Sequence, residues 1–118
     1  MRQVYHNEVI LTEPATPGHY VYDDPVDPGK VLLIRNLAVT WSDIAITESG
    51  QFFIQDGARK IFLRDDLPSV AGGLATWKGL IYCGEGDRPG VYCPDSVEDD
   101  VIHFYISGEL WDLADFRR

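Results

Sequence analysis

Residues that break regular structure recur along the whole chain and leave only short segments between them. The 118 residues include 7 prolines and 11 glycines, and the segments between them alternate apolar and polar side chains, as strands do. Helical periodicity is not found. The long stretch without strand character, Asp66 to Thr76, contains Pro68 and Gly72-Gly73, which would break a helix. This pattern predicts an all-β chain with no significant helix.

Eight to nine strands are predicted in a single domain. A chain of this length is expected to form one domain, residues 1–118, and so many short strands predict a two-sheet antiparallel β-sandwich of jelly-roll-like topology. Residues 1–12 contain the N-terminal strand, and residues 114–118 form a short tail. The predicted strands are Val4–Leu11, His19–Tyr22, Val31–Trp41, Ile44–Thr47, Gln51–Gln55, Arg59–Arg64, Thr76–Cys83, Gly90–Cys93 and Val101–Ser107.

The pair Asp56-Gly57 lies between two of these strands and predicts a hairpin. A two-residue turn of type I′ requires positive φ at both central positions, and Asp-Gly is one of the pairs that adopt it most readily. This turn is therefore predicted to join Gln51–Gln55 to Arg59–Arg64.

A second hairpin with a longer loop is predicted between Thr76–Cys83 and Gly90–Cys93. Cys83 and Cys93 would then face each other, and a disulfide between them would contribute about 2–3 kcal/mol. The N-terminus lacks the apolar stretch of a signal peptide, so the chain is expected to fold among reducing thiols in the cytoplasm. Two reduced cysteines in or near the core are favoured, and the disulfide stays open as the alternative.

The longest apolar run extends from Val31 to Trp41. Simple alternation places Leu32, Ile34 and Ala38 on one face of this strand. A strand that is apolar on both faces is either central in its sheet or covered by a partner, and a neighbouring subunit would provide that cover. The opposite face is therefore the candidate oligomer interface, formed by Val31, Leu33, Leu37, Val39 and Trp41.

The sequence carries no recognisable catalytic or metal-binding signature. The 3 histidines, His6, His19 and His103, are isolated from one another, and none belongs to the His-x-His pair of a metal-dependent cupin. His103 lies on a predicted strand, on the face opposite the core candidates Ile102 and Phe104. Serine-hydrolase, zinc-protease and phosphate-binding motifs are missing as well. We therefore expect a protein that is not an enzyme and needs no metal or cofactor.

The charge balance argues against two classes of partner. The chain has 19 acidic and 10 basic residues, which gives a net charge of −9. Such a surface repels the phosphates of nucleic acids and the headgroups of anionic lipids. No segment approaches the roughly 20 apolar residues that cross a bilayer. We therefore expect neither nucleic-acid binding nor a membrane location.

Two features leave a binding function open. Carboxylates are concentrated between Asp95 and Asp100, and calcium prefers several such oxygen ligands, although the alternating spacing of a calcium loop is missing. Trp77, beside Lys78-Gly79, is the candidate exposed aromatic residue for partner binding, since sugars stack on such rings. A carbohydrate- or receptor-binding module, with or without calcium, is therefore the alternative function.

One ordered set of motifs resembles a known class of proteins. Asp27-Pro28-Gly29-Lys30 precedes the longest apolar run, which Arg35-Asn36 interrupts. Trp77-Lys78-Gly79, Pro89-Gly90-Val91-Tyr92 and Ser107-Gly108-Glu109-Leu110 follow in that order. This arrangement, across residues 25–113, resembles small β-sandwich virion proteins of tailed bacteriophages, mostly minor tail proteins or head and tail decoration proteins.

The resemblance implies a structural component of a virion, located on the tail, neck or capsid exterior and without enzymatic activity. Its partners would be further copies of itself, in a trimer or ring, and other virion proteins. It implies synthesis in the host cytoplasm followed by incorporation into the virion. The acidic surface suits an exterior position, away from packaged DNA.

Overall fold

The computed structural model describes residues 2–14, 20–41, 51–63, 74–93 and 96–116. Within these residues it confirms the predicted antiparallel β-sandwich, whose one helix is a single turn. The predicted strand Ile44–Thr47 lies outside the described residues. The elements are β1 (Arg2–Thr12), β2 (Tyr20–Tyr22), β3 (Lys30–Trp41), β4 (Gln51–Asp56), β5 (Arg59–Phe62), β6 (Leu74–Cys83), β7 (Arg88–Tyr92), β8 (Val101–Asp112) and α1 (Leu113–Phe116).

The first four strands pair with the last four in reverse order. β1 pairs with β8, β2 with β7, β3 with β6 and β4 with β5, all antiparallel. Among the described residues, this nested pairing is folded over into two sheets of four strands. Sheet A has the order β1-β8-β3-β6, and sheet B has the order β2-β7-β4-β5. The order is that of a jelly roll, an eight-stranded sandwich of two Greek keys.

The hydrophobic core lies between the two sheets. Strand alternation directs Ile102, Phe104 and Ile106 of β8 inward, as predicted, and none of them is exposed to solvent. Phe104 of sheet A stacks on Phe52 of sheet B, with ring centroids 6.1 Å apart. Each such buried side chain stabilises the fold by about 1.5–3 kcal/mol. The core therefore holds the two layers together.

A β-bulge in β3 changes which of its residues face the core. Between Ile34 and Asn36 the strand advances by two residues while β8 advances by one, from Gly108 to Ser107. Arg35 is the extra residue, so the inward and outward faces exchange at this point. Simple alternation across β3, as predicted from the sequence, is therefore wrong. Before the bulge Leu32 and Ile34 point into the core, and after it Leu37, Val39 and Trp41 do.

A buried carboxylate links the two sheets at the β1 side of the sandwich. Asp23, directly after β2 of sheet B, is 1% exposed. Its oxygens accept hydrogen bonds from the Tyr5 hydroxyl at 2.5 Å and the Asn7 amide at 2.7 Å, both on β1 of sheet A. Burial, followed by the bond to Asp23, raises the pKa of the Tyr5 hydroxyl, which stays protonated as a donor. Asp23 therefore holds β1 against the opposite layer.

The β4–β5 hairpin is confirmed, but its turn lies one residue later than predicted. Asp56 pairs with Arg59, so the two central residues are Gly57 and Ala58. Gly57 has a φ of 60°, whereas Ala58 is not among the residues with positive φ. This pattern belongs to a type II′ turn, in which glycine takes the first central position. The predicted type I′ turn centred on Asp56-Gly57 is wrong.

The second predicted hairpin is also wrong, because β6 and β7 belong to different sheets. The loop between them crosses from sheet A to sheet B. The Asp87 carboxylate closes this loop by accepting a hydrogen bond from the Gly84 amide at 2.9 Å. Cys83 and Cys93 are both buried and unpaired. Burial raises the pKa of each thiol to about 12, so both stay protonated at neutral pH.

We expect Gly108→Ala to destabilise the protein by about 2–3 kcal/mol. A Cβ at this position would overlap the backbone carbonyl oxygen of Leu33, which the bulge brings against β8. Gly84→Ala is the matched control, because nothing lies within 4 Å of a Cβ there. Urea unfolding measures the stability of both variants. Equal unfolding midpoints would contradict the close approach of Gly108 to the Leu33 carbonyl oxygen.

Candidate functional site

The five residues predicted as an oligomer interface are already buried within a single chain. Leu37, Val39 and Trp41 belong to the core between the sheets. Val31 and Leu33 lie on the outer face of sheet A, yet each is only 6% exposed. The bulge at Arg35 divides the five residues between the inner and outer faces of sheet A. These side chains are therefore not a free surface for a second subunit.

C-terminal residues lie over the part of the outer face of sheet A that contains Val31 and Leu33. Trp111 pairs with Val31 across β8 and β3. The ring of Phe116, in α1, lies 6.1 Å from the Trp111 ring and 5.2 Å from that of Tyr82. The α1 turn is tied to the start of β3 by a bond of 2.8 Å from the Leu113 amide to the Gly29 carbonyl. The chain thus provides the cover that was expected from a neighbour.

Trp77 is not the exposed aromatic residue that the sequence indicated. It is half-buried and packs against the core from β6. Its ring lies over Gly79, where a Cβ would come within 2.7 Å of the indole. The absence of a side chain at Gly79 leaves room for the indole in this position.

An aromatic surface that the sequence reasoning missed covers the outer face of sheet B. Strand pairing places Tyr22, Gly90, Phe53 and Phe62 side by side across the four strands. The Phe53 ring lies over Gly90, where a Cβ would come within 2.5 Å of it, and it is completely buried although it points away from the core. Tyr22 packs edge-on against it at 5.4 Å.

Tyrosines and two cations complete this aromatic surface. Tyr20 stacks on Tyr92 with ring centroids 4.7 Å apart. The Lys60 ammonium lies 4.9 Å from the Tyr20 ring, and the Arg88 guanidinium lies 5.0 Å from the Tyr22 ring. Such cation–π contacts hold the rings in place. Tyr20 is 36% exposed and Phe62 45% exposed, so the surface offers both ring carbons and hydroxyl groups to a ligand.

A polar cluster lies on the outer face of sheet A. His103 Nδ1 is 3.0 Å from a Glu8 oxygen, and the Tyr105 hydroxyl also hydrogen bonds to Glu8. The bond from His103, followed by that from Tyr105, lowers the pKa of the Glu8 carboxyl. The three residues lie on neighbouring strands of an open sheet face. Their arrangement fits surface stabilisation more closely than catalysis, which requires a substrate-sized recess.

Both edges of sheet A are long strands. β1 has 11 residues and β6 has 10, and among the described residues each pairs on one side only. Both carry exposed apolar side chains. Val4 and Ile10 on β1 are 90% and 56% exposed, and Leu80 and Tyr82 on β6 are 48% and 56% exposed. Long apolar edges pair readily with another strand.

The acidic residues that the structure describes do not converge into a metal site. Among the described residues, no three histidine, cysteine or acidic side chains come together in a way that could hold an ion. Asp100 is buried while Glu98 and Asp99 are exposed, so the loop separates its carboxylates. Buried Glu13 accepts a hydrogen bond from Ser96 instead. Asp95, which belonged to the calcium hypothesis, lies outside the described residues.

A small cavity lies beside the Asp23 link. Its volume is about 200 Å³, below the several hundred Å³ of an ordinary ligand site. The residues that line this cavity include no histidine or cysteine. Its lining includes Tyr5, Val26, Leu32 and Leu110, with Asp24 and Asp27 beside them.

We expect the titration midpoint of Glu8 to lie below that of an unperturbed glutamate, about 4.3. Because the folded pKa is lowered, the stabilisation from this cluster is present above the unfolded pKa and is lost as the pH falls through the folded pKa. Carboxyl carbon NMR shifts measure the midpoint. His103→Gln should raise it, and Tyr105→Phe should raise it less. A wild-type Glu8 midpoint at the unperturbed value would contradict the hydrogen bonds from His103 and Tyr105 to this carboxylate.

No helix among the described residues is long and apolar enough to cross a membrane. Comparison with known proteins gives no assignment, because no family model matches the chain and no curated protein matches it at a significant level.

Proposed function

We propose that the protein is a non-enzymatic structural component of a tailed-bacteriophage virion, on the tail, neck or capsid exterior. It acts by associating with copies of itself, in a trimer or ring, and by docking to other virion proteins. The observation that carries this proposal is the pair of long edge strands of sheet A, β1 and β6, each of which carries two exposed apolar side chains. Pairing each edge with another chain would remove its exposure.

Three further features support the same function. The jelly roll is a common architecture of viral capsid proteins, although lectins and cupins share it. The motif order across residues 25–113 resembles phage virion proteins. The net charge of −9 suits an exterior position, because it disfavours contact with packaged DNA.

We expect that deleting the gene from the phage that encodes it leaves particles absent, incomplete or visibly altered. The physical reason is that a subunit which connects others cannot be removed without losing their contacts. Electron microscopy of purified particles checks this, and expression of the protein in trans from a plasmid is the control that should restore normal particles. Normal, fully decorated particles from the deletion strain would rule the proposal out.

A second candidate, a carbohydrate- or receptor-binding module, is favoured by the aromatic surface on sheet B. Sugar rings stack on aromatic faces, and neighbouring hydroxyl groups orient them. In this candidate function the ligand stacks on the aromatic surface in place of Trp77. The residues of that surface are Tyr20, Tyr22, Tyr92 and Phe62.

This candidate predicts that Tyr20→Ala and Tyr92→Ala each weaken glycan binding by about tenfold, since each removes one stacked ring. Tyr82→Ala is the matched control, because Tyr82 is also exposed but lies on sheet A. Binding across a glycan panel followed by calorimetry measures the effect. No binding to any glycan by the wild type would eliminate the candidate.

A further inference from the structure

Strand β1 has one paired edge and one edge without a partner among the described residues. Its 11 residues all pair with β8 on one side. Tyr5, Val9 and Leu11 point toward the core, so the even-numbered residues point to the outer face of sheet A. Val4 and Ile10 are the two apolar members of that outward set.

The outward residues of β1 are complementary to themselves in reverse order. The midpoint of Arg2–Thr12 is Asn7. If a second copy of the strand lies antiparallel with its own Asn7 opposite, Val4 of each chain faces Ile10 of the other. His6 of each chain then faces Glu8 of the other. The Val4–Ile10 contacts are directly opposed apolar pairs, which stabilise antiparallel strands, and the His6–Glu8 contacts place an imidazole that can donate a hydrogen bond opposite a carboxylate.

Other registers lose this complementarity. Opposed residues must point to the same face, so the register can shift only in steps that keep even residues opposite even ones. Centring the pair on His6 places Val4 opposite Glu8. Centring it on Glu8 places two carboxylates opposite each other and is repulsive. Only the register centred on Asn7 pairs all 11 residues of the strand.

We propose that β1 is a self-association edge at which two copies of this chain pair antiparallel about a two-fold axis at Asn7. This inference rests on the proposed function, since it names the surface and the partner for self-association, and of the two assemblies named there it specifies a ring built from dimers rather than a trimer. The four described strands of sheet A in one copy and the four in the other join into one continuous eight-stranded sheet. The contact uses main-chain hydrogen bonds, as in strand addition generally.

The surroundings of β1 favour this pairing. Asp23 holds the inward side of the strand through Tyr5 and Asn7, so the edge is held in place before a partner arrives. Glu8 is already positioned by His103. A two-fold contact closes on itself and produces a dimer. The β6 edge, which has no second partner strand among the described residues, is not used in that dimer and is available for a further contact in a larger ring.

The first test compares charge substitutions at the two edges of sheet A. Light scattering after size exclusion should give a dimer for the wild type, and Ile10→Lys should weaken dimerisation by about tenfold or more, because each chain loses an apolar pair. Leu80→Lys on β6 is the matched control, with similar exposure, and should leave the dimer unchanged. A variant that combines Val4→Lys with Ile10→Glu should restore dimerisation, because each new lysine then faces a new glutamate of the other chain. Circular dichroism checks that each variant is folded.

The second test reads the register directly. Val4→Cys and Ile10→Cys are made in separate chains and mixed under oxidising conditions. The proposed register predicts a disulfide between the two different chains, and much less in either variant alone. A mixture of Val4→Cys and Glu8→Cys chains reports the register centred on His6. Cys83 and Cys93 do not interfere, since both are buried.

The outcomes separate this inference from the proposed function. A wild-type oligomer that Ile10→Lys leaves intact overturns pairing through β1 while self-association stands. Cross-linking of Val4→Cys to Glu8→Cys in place of Ile10→Cys overturns the register. A wild-type monomer at every concentration overturns the pairing. Normal particles from the deletion strain overturn the virion function independently of any of these results.

Discussion

The extra residue in β3 is the constraint on which the sandwich depends. Without it, alternation continuing from Leu32 and Ile34 would direct Asn36 and Thr40 into the core and leave Leu37, Val39 and Trp41 outside. The bulge at Arg35 prevents this, so that the inner side of the same strand is apolar from Leu32 to Trp41. The opposing strand accommodates the bulge because residue 108 is glycine.

The polar link at Asp23 complements the apolar core. A buried carboxylate is stable only when its oxygens are satisfied, and Tyr5, Asn7 and the Asp24 amide satisfy them. Two of these donors belong to β1. The network therefore fixes the inward face of the strand whose unpaired edge we propose as the site of self-association.

The two candidate surfaces lie on different sheets. Sheet A provides the long edges, whereas the outer face of sheet B carries the aromatic surface around Phe53. Pairing through β1 extends sheet A and does not use the face of sheet B that holds Tyr20 and Tyr92. The proposed assembly role and the second candidate function are thus compatible in one chain, and they are testable with separate variants.

Sequence alone determined the fold class, most of the strands and the core side of β8, because turn residues and strict alternation are local signals. It missed the face exchange in β3, although two consecutive exposed residues, Arg35 and Asn36, are the local sign of a bulge. It also assigned β6 and β7 to one hairpin, since neighbouring strands usually pair. Strand partners, the aromatic surface and the self-complementary edge were decided by the tertiary structure. Those features depend on which distant strands lie side by side, and the order of residues along the chain does not encode that locally.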